Sequence, residues 1–99
     1  MSNMKRFGVN YTVTYHRLVA KDVLRLDKVS AKRIKLAIEV KLTTKPEIFG
    51  LPLRGTLKSY WKLRVGDWRV VYLIEPKSVK VIIIAHRREV YDLVGNRMQ

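Results

Sequence analysis

The chain has 99 residues, of which 21 are Lys or Arg and only eight Asp or Glu, a formal net charge of +13. The length bounds it to one domain around one modest core, and the 47% hydrophobic content excludes wholesale disorder. The absence of cysteine excludes disulfides and thiolate zinc sites, and the longest apolar run, VIIIA at 81–85, is far too short to span a bilayer.

The N-terminal MSNMKRFGVNY is basic, but no apolar signal region follows it. The expectation is therefore a cytoplasmic protein without a membrane partner. So large a cation excess costs self-repulsion and favours an anionic partner: nucleic acid first, an acidic protein second. A merely soluble basic surface is the plain alternative.

VNYTVTYH (9–16) alternates apolar or aromatic with polar residues and reads as a strand. Over 17–29 the period changes, and Val19, Val23 and Leu26 form one helical stripe. Ser30 is a candidate N-cap for a second helix through about Lys45. In it Ile34, Ile38 and Leu42 recur every fourth residue beside Ala37, and Pro46 closes it. The two helices are expected to form an antiparallel hairpin.

Residues 47–57, with Gly50, Pro52 and Gly55, read as a loop. Strands are expected over 58–65, 68–75 and 79–86. Gly66-Asp67 suits a type II′ hairpin turn, and EPKS (75–78) makes the next turn. REVYDLV (88–94) is expected to form a short terminal helix, and GNRMQ to fray. This α+β layout places a helical layer on one face of an antiparallel sheet and leaves the other face open.

With Gly66-Asp67 as the loop, Val65 pairs with Trp68, Arg64 with Arg69, Leu63 with Val70, Lys62 with Val71 and Trp61 with Tyr72. Side chains alternate faces along a strand. Trp61, Leu63, Val65, Trp68, Val70 and Tyr72 therefore face the helices. Lys58, Tyr60, Lys62, Arg64, Arg69 and Val71 face the other way, with Glu75 opposite Lys58. A one-residue slip would expose the tryptophans and bury the cations, so the register is well specified. It sets Arg64 directly opposite Arg69, at a cost of a few tenths to about 1 kcal/mol that an anion would relieve.

The third strand of the meander runs back toward the Gly66 turn. His86, Arg87, Arg88 and Tyr91 are thus expected at the sheet end that holds Arg64 and Arg69. Arginine's rigid donor fork suits phosphate. Cations of this kind stabilise the charge that develops in a phosphoryl-transfer transition state. RNA carries its own nucleophile, the 2′-hydroxyl, so cleavage needs only a base, an acid for the leaving 5′-oxygen and cations for the phosphate. Lysine or tyrosine fills an acid or base role when neighbouring cations depress its pKa. Lys62 and Tyr91 are the candidates, with His86 as the conventional one. His16 reads as structural. No His/Asp/Glu cluster has metal-ligand spacing, and neither a Gly-rich phosphate loop nor a Ser-His-Asp grouping is present.

LRGTLKSYWKLRVGDWRVVYLI followed by VIIIAHRREVYDLV resembles the RelE toxins of the RelE/ParE toxin–antitoxin superfamily. The likeness covers roughly residues 9–94. It implies a β-α-α-β-β-β fold with a helical hairpin on one sheet face and a short C-terminal segment. It implies a ribosome-dependent endonuclease that cuts mRNA in the A site through the 2′-hydroxyl, with neither metal nor cofactor. By position, Lys62, Arg69, Arg87 and Tyr91 match the family's catalytic side chains, with Arg88 competing for the place of Arg87. Lys58, Arg64, Arg88 and His86 are left as candidate RNA or phosphate contacts.

The sequence departs from the family at Tyr60, where well-studied members carry a lysine. The resemblance further implies an adjacent RelB-like antitoxin that masks the basic face, and operator DNA contacted through the toxin–antitoxin complex. Two other readings stand beside the nuclease. One is a gyrase inhibitor like the ParE toxins. The other is a weakened homologue that acts mainly as an antitoxin-bound co-repressor.

Overall fold

The computed structural model describes residues 10–57 and 59–97. Strand β1 (Thr12–Tyr15) leads into α1 (Val19–Leu24) and α2 (Lys28–Ala37), and α2 widens into a π-helical stretch over Ile38–Leu42. A single helical turn, α3 (Pro46–Phe49), and a two-residue strand, β2 (Leu51–Pro52), follow. The meander is β3 (Tyr60–Val65), β4 (Trp68–Ile74) and β5 (Ser78–His86), and α4 (Val90–Arg97) completes it. The sheet order is β1-β5-β4-β3-β2. The α+β class and the helical hairpin on one face are as expected.

The meander has the expected register, with Arg64 opposite Arg69 and Trp61 opposite Tyr72. Gly66 has φ +61° and no non-glycine residue among those described has positive φ, which is the type II′ pattern. Leu63, Val65, Val70 and Tyr72 are buried on the helical side with Ile34, Ile38 and Leu42, and Trp61 and Trp68 pack at the margin.

Several expectations change. The sheet is mixed rather than wholly antiparallel, because β1 lies parallel to β5, from Thr12 opposite Ser78 to Tyr15 opposite Val81. This pairing lets Val13 pack against the main core. Residues 51–52 are not loop but a short edge strand on β3; Pro52 is tolerated there because an edge leaves one side unpaired.

The helices also shift. α1 stops at Leu24, so Leu26 lies beyond it, and Val23 is 41% exposed rather than buried. The cap of α2 is Asp27, not Ser30: the Asp27 carboxylate accepts the Ser30 amide at 3.3 Å. Hydrogen bonding from the Ser30 side chain, then from its amide, holds the Asp27 carboxyl below the usual carboxylate range. Near the far end, the hydroxyls of Thr43 and Thr44 bond the carbonyls of Glu39 and Val40. Pro46 closes this helix and opens the next, at a first-turn position where its missing amide costs nothing.

The second sheet face is not open. Val90 and Val94 of α4 bury Val71, Ile83 and Ala85 together with Leu53. Gly95–Arg97 extend α4 rather than fray, while Met98 and Gln99 lie outside the described residues. β5 serves both faces through a bulge at Ile82, skipped between the Val71–Ile83 and Tyr72–Val81 pairs. Val79, Val81 and Ile84 thereby enter one core, and Ile83 and Ala85 the other.

β1 ends before β5 does. The His16 amide bonds the Val81 carbonyl at 2.8 Å, after which β5 has no strand neighbour on that side. Two side chains take the strand's place. Asp22 of α1 accepts the Ile84 amide at 3.0 Å, and Arg97 of α4 donates to the Ile82 carbonyl at 3.2 Å. They join each other at 2.7 and 3.1 Å. Asp22 is 4% exposed.

Candidate functional site

The strand alternation that buries Leu63 turns Lys62 to the opposite face. α4 descends on that face from the end of β5, and its second residue is Tyr91. Lys62 Nζ donates to Tyr91 Oη at 2.5 Å. The two residues are 29 apart in sequence, and no local pattern announces their meeting. Lys62 is half-buried, and Tyr91 is 52% exposed, so the pair is open to a large ligand. A cleft of about 270 Å³ beside it is lined by Pro52, Leu53, Arg54, Leu57, Lys62 and Tyr91. Arg54 thus joins the pair from the loop before β3, a cation that sequence reasoning missed.

One same-face step along β3, about 7 Å, stands Arg64. Its cross-strand partner Arg69 is turned to the hairpin tip, where Nη1 donates to the carbonyls of Gly66 and Trp68, each at 2.9 Å. Those carbonyl dipoles offset part of the repulsion between the two arginines. Arg87 is held at the same tip. Its amide bonds the Asp67 carbonyl at 2.8 Å, and its Nε lies a loose 3.8 Å from the Asp67 carboxylate, with both side chains half exposed or more.

A second overlooked cation lies here. The Arg33 guanidinium nitrogens stand 3.2 and 3.6 Å from the place a Cβ on Gly66 would take. Its only signal in the sequence is its position next to buried Ile34, on the helix that packs over β3.

The expected convergence is therefore divided. Lys62, Tyr91 and Arg54 form one group, and Arg64, Arg69, Arg87 and Arg33 surround the turn. Tyr91 does not sit at the turn with Arg87. His86 lies on the helical side, its Nδ1 accepting the Arg88 amide at 3.2 Å and its ring edge-on to Trp68 at 5.6 Å. Arg88 is exposed, and Lys58 lies outside the described residues. Tyr60 is half-buried against the second core. Among the described residues no three His, Asp or Glu side chains come together as a metal would require.

A groove of about 620 Å³ lies elsewhere. It is on the helical side between α1 and α2, lined by apolar groups such as Val23, Leu26, Ile34 and Ile38. Tyr15, His16 and Glu39 also line it, on the opposite side of the sheet from Lys62 and Tyr91.

Residues 13–91 match the family model described as the ParE toxin of type II toxin–antitoxin systems. The chain belongs to the RelE/ParE family of type II toxin–antitoxin toxins. Among curated relatives it is 34% identical over 86 residues to Toxin RelE of Mycobacterium tuberculosis, covering 84% of this chain and 88% of that one. Among solved structures it resembles the RelBE2 toxin–antitoxin complex of M. tuberculosis, with a TM-score of 0.74 and 26% identity, covering 80% of this chain and all of that one. It also resembles a free E. coli RelE variant, with a TM-score of 0.64 and 26% identity, covering 91% of this chain and 99% of the other. The RelE-like fold expected from the hairpin motif is thus shown by the shared architecture.

Proposed function

We propose that this toxin is a ribosome-dependent mRNA endonuclease that cuts in the A site through the 2′-hydroxyl, without metal. The observation that carries the reading is the Lys62–Tyr91 contact on a cationic, accessible sheet face. In the reaction the 2′-oxygen bonds phosphorus and the bond to the 5′-oxygen breaks. The 2′-proton departs to a base, and the 5′-oxygen gains one from an acid. Tyr91 Oη is the proton-transfer atom. Lys62, donating to that oxygen, holds it in place for the transfer. Arg69 and Arg64 hold the phosphate and offset its added charge in the transition state, with Arg87 approaching from the turn.

The partners follow from the same reading. Ribosome and mRNA meet the basic face. A RelB-like antitoxin answers the +13 charge and the exposed apolar Leu24, Val29, Leu36 and Val40; operator DNA is contacted through that complex. The site of action is the cytoplasm, and no helix among the described residues is long and apolar enough to cross a membrane. Purified toxin added to translating ribosomes with a defined mRNA should yield cuts at A-site codons, with 2′,3′-cyclic phosphate ends. Intact mRNA at every codon would refute the proposal.

One observation favours a second reading: the matching family model is that of ParE toxins. A gyrase inhibitor would block supercoiling at stoichiometric protein and leave mRNA untouched, so the two assays run in parallel separate the readings.

A further inference from the structure

We infer that the Asp22–Arg97 ion pair is a positioning device for Tyr91, fixing α4 across the sheet so that the phenol meets Lys62. The inference rests on the nuclease reading for its consequence, but not for its geometry.

α4 has two polar anchors. Near its start Tyr91 reaches β3 through Lys62. At its end Arg97 reaches the β1 side of β5, at the bulge residue Ile82. Six residues of helix separate the anchors, about 9 Å of rise. From β3 to β5 is two strand spacings, about 9.5 Å. The helix therefore matches the width it must cross, with a side chain at each end to set its direction.

Along the helix, Val90 and Val94 supply the buried apolar contact, with half-buried Leu93 packed beside them. Val90, Val94 and Arg97 follow the i, i+4, i+7 spacing, so Arg97 continues the buried stripe and hooks over the sheet edge. These apolar contacts hold the helix down but set its rotation only weakly, because apolar contact has no direction. The bidentate pair supplies the direction.

A pair needed only to cap the β5 edge would not have to involve α4. Asp22 already satisfies the Ile84 amide, and water or a polar side chain from α1 would serve Ile82. The partner comes instead from the opposite sheet face, since α1 packs Val19 into one core and α4 packs Val90 into the other. The side chains of the pair are 13% and 5% exposed, so its geometry is poorly screened and hard to replace by solvent.

The test compares wild type, Asp22→Asn, Arg97→Met and the charge-keeping Arg97→Lys at a temperature where tryptophan fluorescence shows each to be folded. Two readouts are taken: the NMR signals of the Tyr91 ring with amide exchange over 93–97, and kcat and KM for mRNA cleavage on ribosomes. The expected result is a shifted Tyr91 signal and faster exchange in α4 while β4 stays protected. kcat should fall about 10–100-fold at unchanged KM, the scale of an ångström-level misplacement, with partial recovery in Arg97→Lys. Unmoved Tyr91 signals in both Asp22→Asn and Arg97→Met would overturn the inference, as would a kcat that simply follows the unfolded fraction. The NMR readout needs no activity. An inactive wild-type toxin would therefore remove the nuclease reading while the Tyr91 signals still decide the positioning.

Discussion

The hydroxyl of Tyr72 occupies the space that a side chain on Gly50 would need. The same hydroxyl donates to the Pro46 carbonyl at 2.6 Å, so a core residue of β4 fastens the segment entering β2. Burial, then the charge of Glu47, pushes this phenol far above its ordinary value, and it stays a donor at any working pH. Gly50→Ala should therefore destabilise by about 1–3 kcal/mol through overpacking. Tyr72→Phe should cost about 1–3 kcal/mol by leaving the Pro46 carbonyl unsatisfied. The double variant should cost less than the sum, because removing the hydroxyl relieves the severest clash, leaving the Lys62 carbonyl and the Tyr72 ring at 2.9 Å. Urea unfolding followed by tryptophan fluorescence measures all three.

Lys62 and Tyr91 should behave as one unit. Lys62→Met and Tyr91→Phe are each expected to lower mRNA cleavage on the order of 10²–10⁴-fold, and the double variant should be little worse than the poorer single one. Both sites are partly exposed, so the unfolding free energy from urea titration should change by no more than about 0.5 kcal/mol. Strictly multiplicative losses in the double-mutant cycle would separate the two residues into independent roles.

The arginines of the turn should divide by task. Arg69→Ala is expected to cost about 10²–10³ in kcat, with some loss of stability, since Arg69 also holds the Gly66 and Trp68 carbonyls. Arg87→Ala keeps the backbone bond to Asp67 and gives up only a loose, exposed ion pair. Its stability should stay within about 0.5 kcal/mol while cleavage falls. Asp67→Asn, which releases the Arg87 side chain, should leave cleavage at or above the wild-type rate. A slower Asp67→Asn enzyme would mean that the ion pair itself is needed.

His16 supplies a pH dependence. Burial, then the cations Arg97, Arg17 and Lys80, hold its pKa below the ordinary 6.5. The unfolded chain thus takes up the proton first as pH falls. The stability that the neutral ring contributes is complete above about pH 6.5 and is lost as pH drops from there through the depressed folded value. The urea midpoint should decline between pH 7.5 and 5.5, and His16→Gln should flatten that decline. An unchanged slope in His16→Gln would assign it to another group.

Much of this was legible in the sequence, because the hairpin is governed by local rules. A two-residue turn with glycine first, flanked by strict alternation, leaves one register that buries Leu63 and Val70, and that register fixes the faces of Lys62, Arg64 and Arg69. Asp27 was also within reach. Asp27 and Ser30 stand three apart, and an aspartate accepting the third amide of a helix is the ordinary cap. What local rules could not give was set by distant partners. The parallel pairing of β1 with β5 joins residues more than sixty apart. Gly95-Asn96 reads as a helix end until Arg97 finds Asp22. The Lys62–Tyr91 contact depends on where α4 lands, which no local pattern in the sequence encodes.

The cross-strand arginines give added electrolyte two opposite effects. At 0.1 M ionic strength charges are screened over about 10 Å, so salt should ease the Arg64–Arg69 repulsion and firm the hairpin. The same ions compete with any single-stranded polyanion on this face. If Lys62, Arg64 and Arg69 each neutralise one phosphate, log affinity should fall with log salt at a slope of about −2. A buffer chosen to keep the free toxin folded and dispersed will thus conceal its affinity for nucleic acid.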